Sequence, residues 1–302
     1  MSSVLVLTGP TASGKSELAF ELALEFDAEI VGADSRQIYR GMPIGTAAPS
    51  PKQLEMVRHH LVGFLDPRER YSAARYAADA IAALEKIRAQ GKRAIVAGGT
   101  GFYIRALMGG VSLAPHYDEL LRERLAREVA THPSEFLHGW LACRDPIRAG
   151  AIAAGDSYRV ARALEIALAD RSATLRTQPL RTLESEGFSP TLVCLDLPWP
   201  EIDARIERRV EGMLTAGLVE EAQAVGCGAV AATAVGYPQA FAYLRGWSTR
   251  GELASSLVRA TRRYARRQLT WFRSEPSTLW LVPNAVRDAV REKLGWLSKR
   301  VR

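Results

Sequence analysis

The chain has 302 residues, 47% of them hydrophobic and 24% charged, a balance that belongs to folded globular proteins and excludes a disordered or low-complexity chain. Its apolar runs all stop well short of the ~20 residues that a membrane span requires. With 40 Lys+Arg against 33 Asp+Glu the net charge is +7, too modest to name a partner by itself, but the arginines gather in the C-terminal third.

The length allows two domains, or one large domain carrying an insertion. MSSVLVL leads directly into a glycine-rich loop and leaves no room for a basic region, an apolar core and a cleavage site, so a cytoplasmic location is expected. Cys143, Cys194 and Cys227 lie far apart with no C-x-x-C pair or neighbouring histidine cluster, and are expected as reduced, mostly buried thiols.

The first element is a short apolar strand, Val4 to Leu7, followed by GPTASGKS (Gly9 to Ser16) and a helical pattern, SELAFELALEF. A G-x-x-x-x-G-K-S spacing between strand and helix is that of a phosphate-cradling loop. Gly9 and Gly14 permit backbone angles that turn successive amides toward an anion, the helix start adds its positive end, and Lys15 adds a point charge. The Ser16 hydroxyl is placed to ligate a magnesium ion that bridges phosphates. A bound phosphate chain is expected here.

A second strand, AEIVGAD, ends at Asp34 within ADSRQIYRGMPIGTA. That carboxylate could hold metal through water, act as a general base, or cap a turn. Its neighbours Ser35, Arg36, Gln37 and Tyr39 favour a nucleobase nearby, since Gln pairs with adenine edges and Tyr stacks. After the helix AIAALEKIRAQ comes a further strand, KRAIVAGG, then GGTGFY (Gly98 to Tyr103), where Thr100 is a helix cap, a contact to phosphate or acceptor nucleotide, or both. Short apolar runs alternating with amphipathic helices imply a parallel sheet with helices on both faces, whose ligands gather at the carboxyl ends of the strands. The three polar loops are therefore expected to converge.

From 111 to 187 the pattern is helix after helix: HYDELLRERLAREVA, SEFLHGWLACR and SYRVARALEIALAD. A strand, TLVCLDL, then returns, and its Asp196 resembles a Walker-type magnesium carboxylate. Pro198 and Pro200 follow at once, and we read Asp196 as structural. Arg205 and Arg209 lie one helical turn apart and could approach the phosphates. Farther on, Arg259, Arg262, Arg263, Arg266 and Arg267 share one helical sector, with no acid between Arg259 and Arg273 to neutralise it. A nucleic-acid backbone is the expected partner of that face.

Taken together, GPTASGKS, ADSRQIYRGMPIGTA, GGTGFYIRAL, YRVARALEIAL, RIERRVEGMLTAGL, AVGY and RRYARRQLTWFR resemble, in order and nearly end to end, the tRNA dimethylallyltransferase family. The resemblance implies an α/β fold with a P-loop NTPase-like parallel sheet, residues 1–110 and 188–302, and an inserted all-helical domain, 111–187, that contacts the anticodon stem-loop. It implies transfer of a dimethylallyl group from dimethylallyl diphosphate to N6 of the adenosine beside the anticodon, position 37, with magnesium and without consumption of ATP.

The same resemblance places the diphosphate on Gly9, Thr11, Ala12, Ser13, Gly14, Lys15, Ser16 and Arg209, with Ser16 on the metal. Asp34 becomes the base that takes the N6 proton, and Thr100 contacts the tRNA near the acceptor base, which must be flipped out of its stack. Ser35, Arg36, Gln37, Arg122, Arg263 and Arg267 complete the implied tRNA contacts, together with Tyr158, Arg159 and Arg162. Tyr158 stands where many members have Gln, and Pro238 where a basic residue is usual, so one RNA hydrogen bond and one local contact are expected to differ. A monomer is expected. The rivals are a small-metabolite kinase using Asp196, prenyl transfer to free adenine nucleotides, and a noncatalytic RNA-binding protein.

Overall fold

A strand covered on both faces needs an unbroken apolar run, and Val4–Leu7 provides one. In the computed structural model of the protein, which describes residues 1–110, 119–168 and 181–298, these four side chains are fully buried in β1 (Ser2–Thr8). Burying each contributes on the order of 1.5–3 kcal/mol. Around β1 lie β2 (Ala28–Gly32), β3 (His59–His60), β4 (Arg93–Ala97), β5 (Phe188–Leu195) and β6 (Leu279–Leu281), in the order β3-β2-β4-β1-β5-β6. Every neighbouring pair is parallel.

Parallel neighbours require crossovers, and helices supply them. The first half carries α1 (Lys15–Phe26), α2 (Pro43–Thr46), α3 (Pro51–Met56), α4 (Ala73–Ala89) and α5 (Gly101–Leu107). Leu5 and Leu7 pack with Leu22 and Phe26 of α1, while Val4 and Val6, alternating to the opposite face, are equally buried. Contacts of α4 with β2 and β4 bury Tyr76, Ile81 and Leu84 completely.

Two compact units divide the chain: Met1–Val111 with Arg181–Arg302, and Ser112–Leu180. The second contains α6 (Glu119–Thr131), α7 (Ser134–Arg144), α8 (Pro146–Gly150) and α9 (Ser157–Leu168), closed around Leu125, Leu137, Leu141, Val160 and Leu164. In the first unit the chain continues as α10 (Trp199–Thr215), α11 (Leu218–Val225), α12 (Tyr237–Leu244), α13 (Arg250–Arg273) and α14 (Pro283–Leu294). Residues Arg181 to Gly187 also lie there: Arg181 pairs with Glu85 and Glu186, and the Leu183 amide donates to the Leu107 carbonyl. The return to the first unit thus comes before residue 188.

The strands expected from the sequence are β1, β2, β4 and β5. Both additions, β3 and β6, are edge strands of two and three residues, too short to show a period. The cysteine expectation fails at two positions, because Cys143 and Cys227 are exposed and only Cys194 is buried. Among the described residues no helix is long and apolar enough to cross a membrane.

Candidate active site

The loop after β1 turns as its glycines allow. Gly14 has φ 85°, in the left-handed region, and the chain enters α1 at once with Lys15 as its first residue. Lys15 donates to the Pro10 carbonyl at 3.3 Å. Ser13 is buried with a hydroxyl that has no partner among the described residues, and the Ser13 carbonyl accepts from Arg205 of α10 at 3.2 Å.

The other two loops are bound to this one. The Ala33 amide donates to the Ala97 carbonyl, the Thr100 amide to the Ala33 carbonyl, and Gly98 N–H to the Leu7 carbonyl. Gly98 must lack a side chain, because a Cβ there would lie 2.2 Å from the Ala33 backbone. Thr100 stands at the N-cap position just before α5, but its hydroxyl makes no cap; it accepts from the Ser35 amide at 2.9 Å and donates to the Ser35 hydroxyl at 3.2 Å. From α13, buried Gln268 accepts from the Thr11 amide at 2.7 Å and donates to the Gly99 carbonyl at 2.8 Å. One side chain thus joins the phosphate loop to the threonine loop.

Two cavities meet across these loops, of about 360 and 240 Å³, and Lys15, Ser16, Gln37, Ala47, Ala97 and Arg209 line both. The larger has apolar walls from Phe20, Ile30 and Val62. The smaller contains Asp34, Ser35, Arg36, Tyr264 and Arg267, with Met213, Val235 and Leu257 as its apolar side. Asp34 accepts from the Arg36 amide at 2.9 Å through one oxygen, so it both shapes the turn and faces the cavity.

The charges at the junction are unbalanced. Burial lowers the Lys15 pKa to about 8, with Asp34 acting to raise it and Arg209 to lower it further. Arg209 is likewise depressed, first by burial, with Asp34 opposing. Tyr264 is pushed up by burial and by Asp34. Two desolvated cations facing one carboxylate form a site completed by an added anion.

Several expectations need correction. The Gln37 amide nitrogen donates to the Thr46 and Ala47 carbonyls at 3.1 and 3.0 Å, leaving only its oxygen for a base. Tyr39 cannot stack on one, being buried with its hydroxyl on the Glu69 carbonyl. The arginine face of α13 is not wholly open: Arg262 pairs with Asp203 and Glu207 of α10, and Arg266 lies 4.6 Å over the Trp199 ring. Arg259, Arg263, Arg266 and Arg267 are all exposed, with Arg267 6.0 Å from the Tyr264 ring centroid. Asp196 is exposed at the end of β5, its amide donating to the Leu281 carbonyl, and lines neither cavity.

In the second unit, Arg122 and Arg162 both pair with buried Glu165, at 3.4 and 2.7 Å. Tyr158 is 80% exposed and Arg159 pairs with Asp156 at the surface. Pro238 is exposed in the first turn of α12, where its missing N–H costs nothing. Its neighbour Tyr237 donates to buried Glu221, which accepts the Ile44 and Gly45 amides at 2.8 and 2.7 Å and so holds the stretch that lines the smaller cavity.

Sequence reasoning misses Gln268 and Glu221 as supports of the loops, and Arg205, expected to approach the phosphates, donates to the Ser13 carbonyl. A signal existed for the first. Gln268 falls on the buried stripe of α13 with Leu253, Leu257, Ala265 and Phe272, and a polar side chain on such a stripe demands partners.

A parallel α/β sheet with a glycine-rich G-x-x-x-x-G-K-S loop after its first strand, facing a carboxylate and a second cation, is a P-loop-type core whose site suits an anionic ligand. The IPP transferase family model matches residues 37–275. The chain is 41% identical to tRNA dimethylallyltransferase 1 of Trichlorobacter lovleyi, covering 92% of this chain and 93% of that protein. It is 43% identical to a tRNA dimethylallyltransferase of Anaeromyxobacter dehalogenans, covering 93% and 95%. The protein belongs to the IPP transferase family.

Among solved structures, the tRNA isopentenylpyrophosphate transferase of Bacillus halodurans is 31% identical with a TM-score of 0.70, over 98% of this chain and 97% of that one. A eukaryotic dimethylallyltransferase acting on tRNA shares the fold at a TM-score of 0.78 and 24% identity, over 100% and 82%.

Proposed function

We propose that the protein transfers a dimethylallyl group from dimethylallyl diphosphate to N6 of the adenosine beside the anticodon, position 37, of tRNA, releasing diphosphate. The observation that carries this is the junction of the two cavities, where Lys15 and Arg209 share a desolvated space with Asp34. Its reach beyond phosphate binding rests on the relatives named as tRNA dimethylallyltransferases.

In this reading the diphosphate lies on the loop amides of Ala12, Gly14, Lys15 and Ser16, since the Thr11 amide is held by Gln268 and the Ser13 amide by the Pro10 carbonyl. The Ser13 hydroxyl, the Lys15 ammonium and the Arg209 guanidinium lie on its oxygens. As the allylic C–O bond breaks, its electron pair goes to the diphosphate, whose growing charge these groups are preorganised to stabilise. The N6 lone pair forms the new C–N bond, and the Asp34 oxygen not held by the Arg36 amide accepts the proton. Thr100, fixed to Ser35, orders the segment that carries Asp34. Met213, Val235 and Leu257 give the alkyl group an apolar wall.

The donor set suits magnesium, which prefers hard oxygens and is commonly held by one or two protein ligands plus phosphates. Ser16 would hold it, within the cavity that Asp34 also lines. When bound, the ion neutralises charge on the diphosphate. Arg263 and Arg267, with Ser35, Arg36, Gln37 through its oxygen, and the second unit's Arg122, Tyr158, Arg159 and Arg162, are the proposed RNA contacts. We propose a cytoplasmic monomer.

The test is transfer of radiolabel from dimethylallyl diphosphate to unmodified tRNA, with magnesium and no ATP, comparing wild type with Asp34→Ala. Label at N6 of the adenosine beside the anticodon, largely lost in the variant, is expected. Label on AMP, or turnover of ATP, would overturn the reading.

A further inference from the structure

Phe102 stands two residues beyond Thr100, on the first turn of α5, and is 46% exposed. Its presentation is built. Gly101 leaves room for the Trp271 ring, which a Cβ at that position would meet at 2.2 Å. Trp271 receives Phe102 edge-on, with centroids 6.4 Å apart and planes at 87°. Behind it, the Arg105 guanidinium lies 4.1 Å from the Trp271 centroid and donates through Nε to Glu275 at 2.7 Å. The indole N–H of Trp271 is buried without an acceptor among the described residues, and the contacts that hold the ring there are those with Gly101, Phe102 and Arg105.

Trp271 also continues a row. Arg263, Arg267 and Trp271 follow at intervals of one helical turn on α13 and so share a side of it. Arg263 and Arg267 are exposed, and Arg267 lines the cavity that contains Asp34. A strip therefore runs from two exposed guanidiniums, that of Arg267 6.0 Å from the Tyr264 ring centroid, to an aromatic pair whose outer ring is exposed. Cations beside a free aromatic face are the elements by which proteins hold single-stranded nucleic acid, phosphates on the former and bases on the latter.

We infer that Phe102 is a positioning residue that stacks on the nucleobase adjacent to the acceptor base, a role that rests on the proposed tRNA substrate. Moving one base out of a loop deprives its neighbour of a stacking surface. The Phe102 ring replaces that surface and holds the loop open while the acceptor occupies the cavity. Because every base has a π-face, the platform accepts any base at that position, and it selects for a flipped loop rather than for sequence.

The experiment uses the full chain and an unmodified anticodon stem-loop carrying 2-aminopurine at the nucleotide next to the acceptor. With wild type, fluorescence is expected to stay quenched on binding. With Phe102→Ala it should rise at saturating protein, the Kd for RNA should weaken by about tenfold, within the range that base–aromatic stacking supplies, and the loss should fall on the RNA KM rather than on that of the donor. Phe102→Tyr should restore quenching. Phe102→Leu, which keeps an apolar contact with Trp271 but lacks a π-face, should not. If wild type fails to transfer label to any RNA, the tRNA reading falls and this inference with it. If wild type transfers label while Phe102→Ala keeps both its quenching and its RNA KM, the stacking role alone is overturned and the patch is left to a protein partner.

Discussion

Raising the pH should weaken donor binding through Lys15, and the structure sets where. In the free protein burial holds the Lys15 pKa near 8, below its ordinary 10.5. A bound diphosphate reverses the cause by giving the ammonium an anionic partner, so the complex holds the proton more tightly than the free protein. The sign follows from linkage: the complex binds more protons, and affinity falls as pH rises through the free-state value. With the donor fully ionised above neutrality, the Kd should scale as one plus the ratio of neutral to charged lysine. It then changes little below pH 7 and weakens by about tenfold between pH 7 and pH 9, given a free-state pKa of about 8.

Calorimetric titration of dimethylallyl diphosphate with magnesium and without RNA, in two buffers of different ionisation enthalpy, reads the proton directly. A diphosphate monoester has no ionisation of its own at about pH 8–9. At pH 8.5 roughly three-quarters of a proton should be taken up per site, and at pH 7 about a tenth, for that pKa of about 8. Lys15→Arg should bind without this uptake, since a guanidinium does not titrate in the range. Arg209→Gln removes a cation that lowers the Lys15 pKa, so the midpoint should move to higher pH. Binding that stays constant through pH 9 with no proton uptake would refute the reasoning.

Asp34→Asn should lower kcat by roughly 10²–10⁴, the usual contribution of a general base, without weakening diphosphate binding, since it removes a negative charge opposite Lys15 and Arg209; an unchanged single-turnover rate would exclude Asp34 as the base. Gln268→Ala leaves the Thr11 amide and the Gly99 carbonyl unpaired in a buried place and should cost about 2–4 kcal/mol in urea unfolding, with a raised KM for the donor; stability equal to wild type would show that the two loops do not depend on it. Arg267→Ala should weaken RNA binding and reduce its salt slope by about one, whereas Arg262→Ala should leave the slope as it is and lower thermal stability slightly. Equal slopes for both variants would mean that exposure on α13 does not mark the RNA-facing residues.

Much of the geometry of the loop after β1 was legible in the sequence because local rules write it. A strand, a glycine turn and a helix in immediate succession define the cradle, and GPTASGKS contains all three. The alternation of short apolar runs with amphipathic helices placed β1, β2, β4 and β5 in one parallel sheet, and the carboxyl ends of β1, β2 and β4 then had to bring Lys15, Asp34 and Thr100 together. What escaped were contacts between residues far apart in the chain. Gln268 reaches Thr11 across most of the sequence, and Glu221 holds the amides of Ile44 and Gly45. No periodicity announces such a bond. Thr100 and Gln37 likewise have partners that no motif marks: the Thr100 hydroxyl accepts from the Ser35 amide, and the Gln37 amide nitrogen donates to the Thr46 and Ala47 carbonyls.

The arginines of α13 show where pattern and function part. Counting charge on a helical face treats the helix as though nothing packed against it, and by that count Arg259, Arg262, Arg263, Arg266 and Arg267 are equivalent. Packing against α10 breaks the equivalence: acids absent from α13 are supplied to Arg262 by Asp203 and Glu207, and the Arg266 guanidinium, though exposed, lies against the Trp199 ring. The same docking aligns Ile202, Ile206 and Val210 with Leu257 and Ala265, bringing Arg209 of α10 and Tyr264 and Arg267 of α13 to one cavity. The paired arginines thus hold the two helices in the arrangement that gives the remaining ones something to bind. A basic stripe of this kind is partly fastening and partly interface, and only the partner helix tells which arginine is which.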